Sequence, residues 1–133
     1  MTIPMQRWFV IEDEHERRDF FVASGVPRAN IFRHPVDLVD AIAATTGEVV
    51  VFLDHDLGLR EFVPYPREIN GMDAVVALNA MQRRGVYIIH SMNDPASRTM
   101  ASSLLVGGAI IFRRPFTAIR SDMQGIIAKY GGE

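Results

Sequence analysis

The chain of 133 residues has no cysteine, which rules out a disulfide scaffold and any thiolate metal site. That absence fits a reducing compartment, and a cytoplasmic location is the expectation. Long apolar runs are missing too. None approaches the roughly 20 residues of a bilayer span, and Met1 to Arg7 hold no apolar stretch of signal-peptide length. A soluble protein without membrane partners is expected. Nor is there a strong charge of either sign: 14 Lys and Arg stand against 16 Asp and Glu, a formal charge of −2. An extended face for duplex nucleic acid must neutralise many phosphates, so none is expected, although a local basic cluster is compatible with that balance. No low-complexity linker divides the sequence, and its length is about the mode for one domain, so residues 1–133 are expected to form a single domain.

Apolar residues make up 48% of the chain, enough for a real core, and they come in short runs. Trp8-Phe9-Val10-Ile11, Ala29 to Arg33, Val49 to Leu53, Val86 to Ile89 and Ala109 to Phe112 read as strands. Helices are expected between and after them. The first runs from Glu14 to Ser24 before Gly25, the second from Pro35 to Thr46, and the third opens at Gly71, with Met72, Val75, Val76, Leu78 and Met81 as its apolar face, and ends before Gly85. The fourth starts at Pro95, capped by Asn93 or Asp94, and reaches about Val106, and the last spans Ala118 to Tyr130. Gly131-Gly132-Glu133 is expected to fray. Five repeats of strand then helix give an α/β fold with a five-stranded parallel sheet, doubly wound, in the flavodoxin-like order 2-1-3-4-5.

The polar residues gather where such sheets bind ligands, beyond the C-terminal ends of the strands. Strand one ends in Glu12-Asp13, and strand three in Asp54-His55-Asp56. Strand four ends in His90-Ser91 with Asn93 close by, and strand five in Arg113-Arg114. Carboxylates at neighbouring strand ends repel one another unless a hard divalent cation or raised pKa values relieve them. Glu12, Asp13 and Asp54 are therefore the expected metal ligands. Oxygen donors favour Mg²⁺ or Mn²⁺, and the nearby imidazoles leave other metals open. Ser91, Asn93 and Arg114 suit phosphate oxygens. Arg113, its side chain pointing the other way along the strand, is expected to be solvated or packed. Residues 55–70 show no helical or strand period, and Arg60, Tyr65 and Arg67 there could form a lid over a base and a phosphate.

These motifs resemble the receiver domain of bacterial response regulators over essentially the whole chain. The acidic pair Glu12-Asp13, the strand-three Asp54, the hydroxyl of Ser91 and the Arg114-Pro115-Phe116 run correspond in order to that family's pattern. Arg114 departs from it, standing where the family has lysine. The run Leu53-Asp54-His55-Asp56-Leu57-Gly58 together with His90-Ser91-Met92-Asn93 more closely resembles the receiver-like variant named for cyclic-phosphate processing. The resemblance implies the receiver fold and a divalent-metal, phosphate-handling site. Its target would be the cyclic phosphate of a nucleotide or RNA end, with His55 and His90 as general base and acid and Asp54 in the catalytic group. Two alternatives stay open. One is a single-domain response regulator phosphorylated on Asp54 by a phosphodonor kinase, and the other is a non-catalytic degenerate receiver acting as a binding module.

Overall fold

The structure, a computed structural model, describes residues 2–55, 71–91 and 94–132. Its central strand is β4 (Val49–Leu53), buried along its whole length. β-Branched and aromatic side chains suit a strand covered on both faces. β2 (Trp8–Ile11) and β5 (Gly85–Ile89), equally buried, flank it, and β3 (Ile31–Phe32) and β6 (Ile110–Arg113) form the edges. All neighbours pair in parallel, in the order β3-β2-β4-β5-β6.

Among the described residues five helices cover the sheet: α1 (His15–Ala23), α2 (Pro35–Ala43), α3 (Gly71–Met81), α4 (Asp94–Ser103) and α5 (Phe116–Tyr130). The two-residue period of the strands sorts the core into two clusters. Phe9, Ile11, Val51, Leu53, Tyr87 and Ile89 pack with Leu38, Leu78 and Met100 of α2, α3 and α4. Trp8, Val10, Val50, Phe52, Val86 and Ile88 pack with Phe21 of α1 and with Phe116, Ile119 and Met123 of α5. No helix among the described residues is long and apolar enough to cross a membrane.

Several expectations need correction, among them the second and third helices, which end at Ala43 and Met81 rather than at Thr46 and near Gly85. The glycine tail does not fray: β7 (Gly131–Gly132) pairs in parallel with β1 (Ile3–Pro4). Ile3 is fully buried and its carbonyl accepts from Trp8 Nε1 at 2.8 Å, which fixes one side of the pair. Gly131 suits the other side, because a Cβ there would lie 2.5 Å from the carbonyl oxygen of Ile127. The second strand is shorter than Ala29 to Arg33. Residues Arg28–Asn30 form a 3₁₀ turn, and Asn30 Nδ2 donates to the carbonyls of Gln6 at 2.9 Å and Trp8 at 3.1 Å. The fourth helix stops at Ser103 rather than near Val106. Asn79 ends it, donating to the Ser103 carbonyl and accepting from the Leu105 amide, each at 2.7 Å, so its side chain replaces the next helical turn.

Candidate functional site

One rung past the central ladders, backbone hydrogen bonding continues across the sheet. The amides of Glu12, Asp54, His90 and Arg114 donate to the carbonyls of Phe32, Ile11, Leu53 and Ile89 at 2.9, 3.3, 3.0 and 2.9 Å. Glu12, Asp54 and His90 thus stand side by side at the ends of β2, β4 and β5. The residues before them, Ile11, Leu53 and Ile89, belong to the α2–α3–α4 cluster, so alternation turns the next row toward α1 and α5. The His90 ring lies there, 5.6 Å from Phe21 and 6.4 Å from both Phe52 and Phe116, centroid to centroid.

These three residues are almost sealed from solvent: Glu12 and His90 are 0% exposed and Asp54 is 3% exposed. One ligand atom from each lies within 4.8 Å of the other two, so the group can hold a metal ion. His90 Nε2 is 3.1 Å from Glu12 Oε1. The other Glu12 oxygen, Oε2, accepts from the amides of Asp13 at 3.0 Å and Glu14 at 3.3 Å. Arg17 roofs the group: its Nη1 is 3.7 Å from Glu12 Oε1, its Nε is 3.0 Å from Glu14, and its guanidinium lies 4.9 Å from the centroid of the Phe116 ring.

The electrostatics pull in two directions. Burial alone would raise the Glu12 carboxyl, but the hydrogen bond and charge of His90, together with hydrogen bonds to Asp54 and the Glu14 amide, bring it down to about 2. Asp13 moves the other way, pushed up by burial and then by the Glu12 charge, against a smaller downward pull from Arg33. Neighbouring carboxyl groups repel one another when both are ionised, and a shared proton or a bound cation relieves that repulsion. His90 Nδ1 adds to the tension. It is buried and has no hydrogen-bond partner among the described residues, a costly arrangement for a polar nitrogen.

The residues expected at the site are thus divided. Glu12, Asp54 and His90 form the buried group. Asp13 and His55 are half-buried beside it and lie outside the three. Ser91 turns to the opposite face and lines a cavity of about 300 Å³ with Ser97, Asp94, Arg113 and Arg114. Arg113, expected to be solvated or packed, donates there to Asp94 at 3.0 Å and Ser97 at 3.2 Å. With Arg98 it holds the exposed Asp94 carboxyl below its ordinary value. Arg114 reaches the same cavity, while its guanidinium donates to the Arg113 carbonyl at 2.8 Å and lies 5.0 Å from the Phe112 ring centroid. Asp56, Asn93 and the lid residues Arg60, Tyr65 and Arg67 fall outside the described residues.

Two contributors escape a reading of the sequence. Arg17 follows Glu14 at helical spacing, but nothing in that spacing signals its reach to Glu12. Gly71 opens α3 directly against the site, where a Cβ would sit 2.3 Å from the Asp54 carbonyl oxygen, and its amide donates to His55 at 3.0 Å. Only glycine allows that approach.

No family model and no curated protein matches the chain. Among solved structures it is similar to a fusion protein carrying amino acids 181–211 of the yeast Spc42 trimeric coiled coil. The TM-score is 0.58 at 11% identity, over 96% of this chain and 77% of that one. At that identity the likeness bears on the fold alone.

Proposed function

We propose that the chain is a receiver-like protein whose Glu12–Asp54–His90 group is a divalent-metal centre that handles phosphate, acting on the cyclic phosphate of a nucleotide or RNA end. The observation that carries the reading is the meeting of two buried carboxyls and an imidazole within 4.8 Å, beside an Asp13 carboxyl that is itself pushed up. A bound cation would relieve both. With β1 and β7 set aside, the sheet strands count 2-1-3-4-5 in chain order, and the two core clusters put helices on both faces. Both features support the doubly wound, flavodoxin-like receiver arrangement.

Glu12, Asp54 and His90 would hold the ion, with Asp13 adjacent. An imidazole in the set favours Mn²⁺ over Mg²⁺, which prefers oxygen alone. When bound, the cation supplies Lewis acidity toward a phosphoryl oxygen. The protein side chains do the rest. His90, enclosed by three phenylalanine rings, serves as a ligand and leaves proton exchange to His55 at the rim. The Ser91 hydroxyl and the Arg114 guanidinium line the neighbouring cavity, where they can donate to an anion's oxygens. Arg17 keeps water from Glu12.

Hydrolysis of 2′,3′-cyclic nucleotides with Mn²⁺, in the wild type and in the Asp54→Asn and His55→Ala variants, tests the assignment. Turnover should depend on the metal and fall in both variants. Turnover indifferent to both substitutions would refute these roles. Mn²⁺-dependent labelling by acetyl phosphate, lost in Asp54→Asn and unaccompanied by turnover, would favour the phosphorylated-switch reading instead. Neither metal binding nor labelling would leave a binding module.

A further inference from the structure

A second charged feature lies on the outer flank of α1. A cavity of about 320 Å³ between that helix and the edge strand β3 is lined by His15, Arg18, Asp19, Arg28 and Arg33 over an apolar floor of Val22 and Ile31. Several other described arginines have acceptors, and Arg120 lies 5.6 Å from the Phe116 ring centroid. Arg17 pairs with Glu12 and Glu14, Arg98 and Arg113 share Asp94, and Arg7 and Arg83 donate to backbone carbonyls. Arg18, Arg28 and Arg33 make no side-chain hydrogen bond or ion pair among the described residues. The one acid in the cavity, Asp19, is already engaged by His15 at 3.2 Å. Three guanidiniums with no hydrogen-bonded or ion-paired acid among the described residues face one concavity, in a protein whose formal charge is −2. An anion with several accessible oxygens, such as a phosphate group on a polyanionic chain, is what such an arrangement accommodates.

The cavity is electrically tied to the acidic centre. Arg33 follows Phe32, whose carbonyl accepts from the Glu12 amide at 2.9 Å, so it stands at the same end of the sheet on the neighbouring strand. Its charge reaches Asp13. We infer that Arg18, Arg28 and Arg33 form a second anion subsite, holding a backbone phosphodiester of a single-stranded RNA whose terminal cyclic phosphate lies at the metal centre. This rests on the proposed function above and narrows it, since a mononucleotide has no second phosphate to offer. Guanidiniums reach phosphate oxygens without reading bases, so the subsite is blind to base sequence.

The test is fluorescence anisotropy with a labelled RNA tetranucleotide ending in a 2′,3′-cyclic phosphate, competed by the 2′,3′-cyclic mononucleotide. The tetranucleotide should bind more tightly by ~10-fold or more, with a log K against log salt slope that falls by ~0.7 for each arginine removed. In Arg28→Ala/Arg33→Ala the advantage should vanish. Arg28→Lys/Arg33→Lys should retain part of it, because charge survives while the fork geometry is lost. Equal affinity of the two ligands for the wild type would overturn the inference, as would an advantage that survives the alanine pair. So would competition by a polyglutamate peptide as effective as the tetranucleotide. Tight, arginine-dependent binding with no turnover of either ligand would support the subsite and sink only the enzymatic reading of the neighbouring centre.

Discussion

The two ends of the sheet treat their polar groups in opposite ways. At the N-terminal end, Arg83 donates to the carbonyls of Ile42 at 3.0 Å and Gly47 at 3.2 Å, to the Thr45 hydroxyl at 3.2 Å, and to the Thr45 carbonyl. The Tyr87 hydroxyl donates to the Arg83 carbonyl, and Arg7 Nε to that of Glu48 at 2.8 Å. Every acceptor in that network is neutral. At the C-terminal end, Glu12 is contested by His90, Asp54 and Arg17, Asp13 is pushed up, and one nitrogen of His90 has no partner among the described residues. The first end satisfies its polar groups and needs nothing further. The second gathers three buried ionisable side chains that could hold a metal ion and leaves one of their nitrogens without a partner among the described residues.

The sharpest way to break this contrast is Asp54→Asn. Metal affinity should fall by more than the ~100-fold typical of losing an outer-sphere partner, as read by calorimetric titration with Mn²⁺. In the same variant without metal, the thermal midpoint should hold or rise, because an amide can donate to Glu12 where a second carboxyl crowds it. A clear drop in midpoint would mean the cluster is structural.

Acid should separate the ends next. Glu12 ionises at about 2 in the folded protein against an ordinary 4.5, so its stabilising contribution is complete above 4.5 and is lost as pH falls toward 2. Asp13, with its folded value raised, has the opposite sign: stability is greatest below its unfolded value and is lost as pH rises through the folded one. Denaturant unfolding between pH 2 and pH 7 should show the acid limb in the wild type and a flatter one in Glu12→Gln.

Arg83→Met should cost about 2–3 kcal/mol, the loss of several charge-assisted hydrogen bonds, while leaving Mn²⁺ affinity alone. A change in that affinity would show the two ends to be coupled. The smallest effect belongs to Tyr87→Phe, about 1 kcal/mol for one buried hydrogen bond, read by the urea midpoint. The phenol itself is pushed up to about 12 by burial, against the opposing charge of Arg83, so it stays protonated throughout the working range.

Much of the acidic end can be read from the chain, and the reason is local. Val49 to Leu53 is a strand because five apolar residues in a row have no other short solution, and Asp54 must then emerge at its end. The same holds for Ile11 before Glu12 and Ile89 before His90. The two-residue period even explains why His90 and Ser91, adjacent in sequence, serve opposite faces. What stays hidden is contact between separate elements. The β1–β7 pair uses two residues from each terminus, too few to make a pattern. Arg83 meets its acceptors 36 to 41 positions away. Arg18, Arg28 and Arg33 come from a helix, a turn and a strand end, and only the packing of α1 on β3 gathers them.

The central claim is that Glu12, Asp54 and His90 hold one cation, and Mn²⁺ binding followed by electron paramagnetic resonance, with detection of nitrogen coupling, tests it most directly. A single bound Mn²⁺ with a nitrogen coupling that disappears in His90→Gln and persists in His55→Gln is the expected result. Absence of bound Mn²⁺, or a coupling untouched by His90→Gln, would contradict the account.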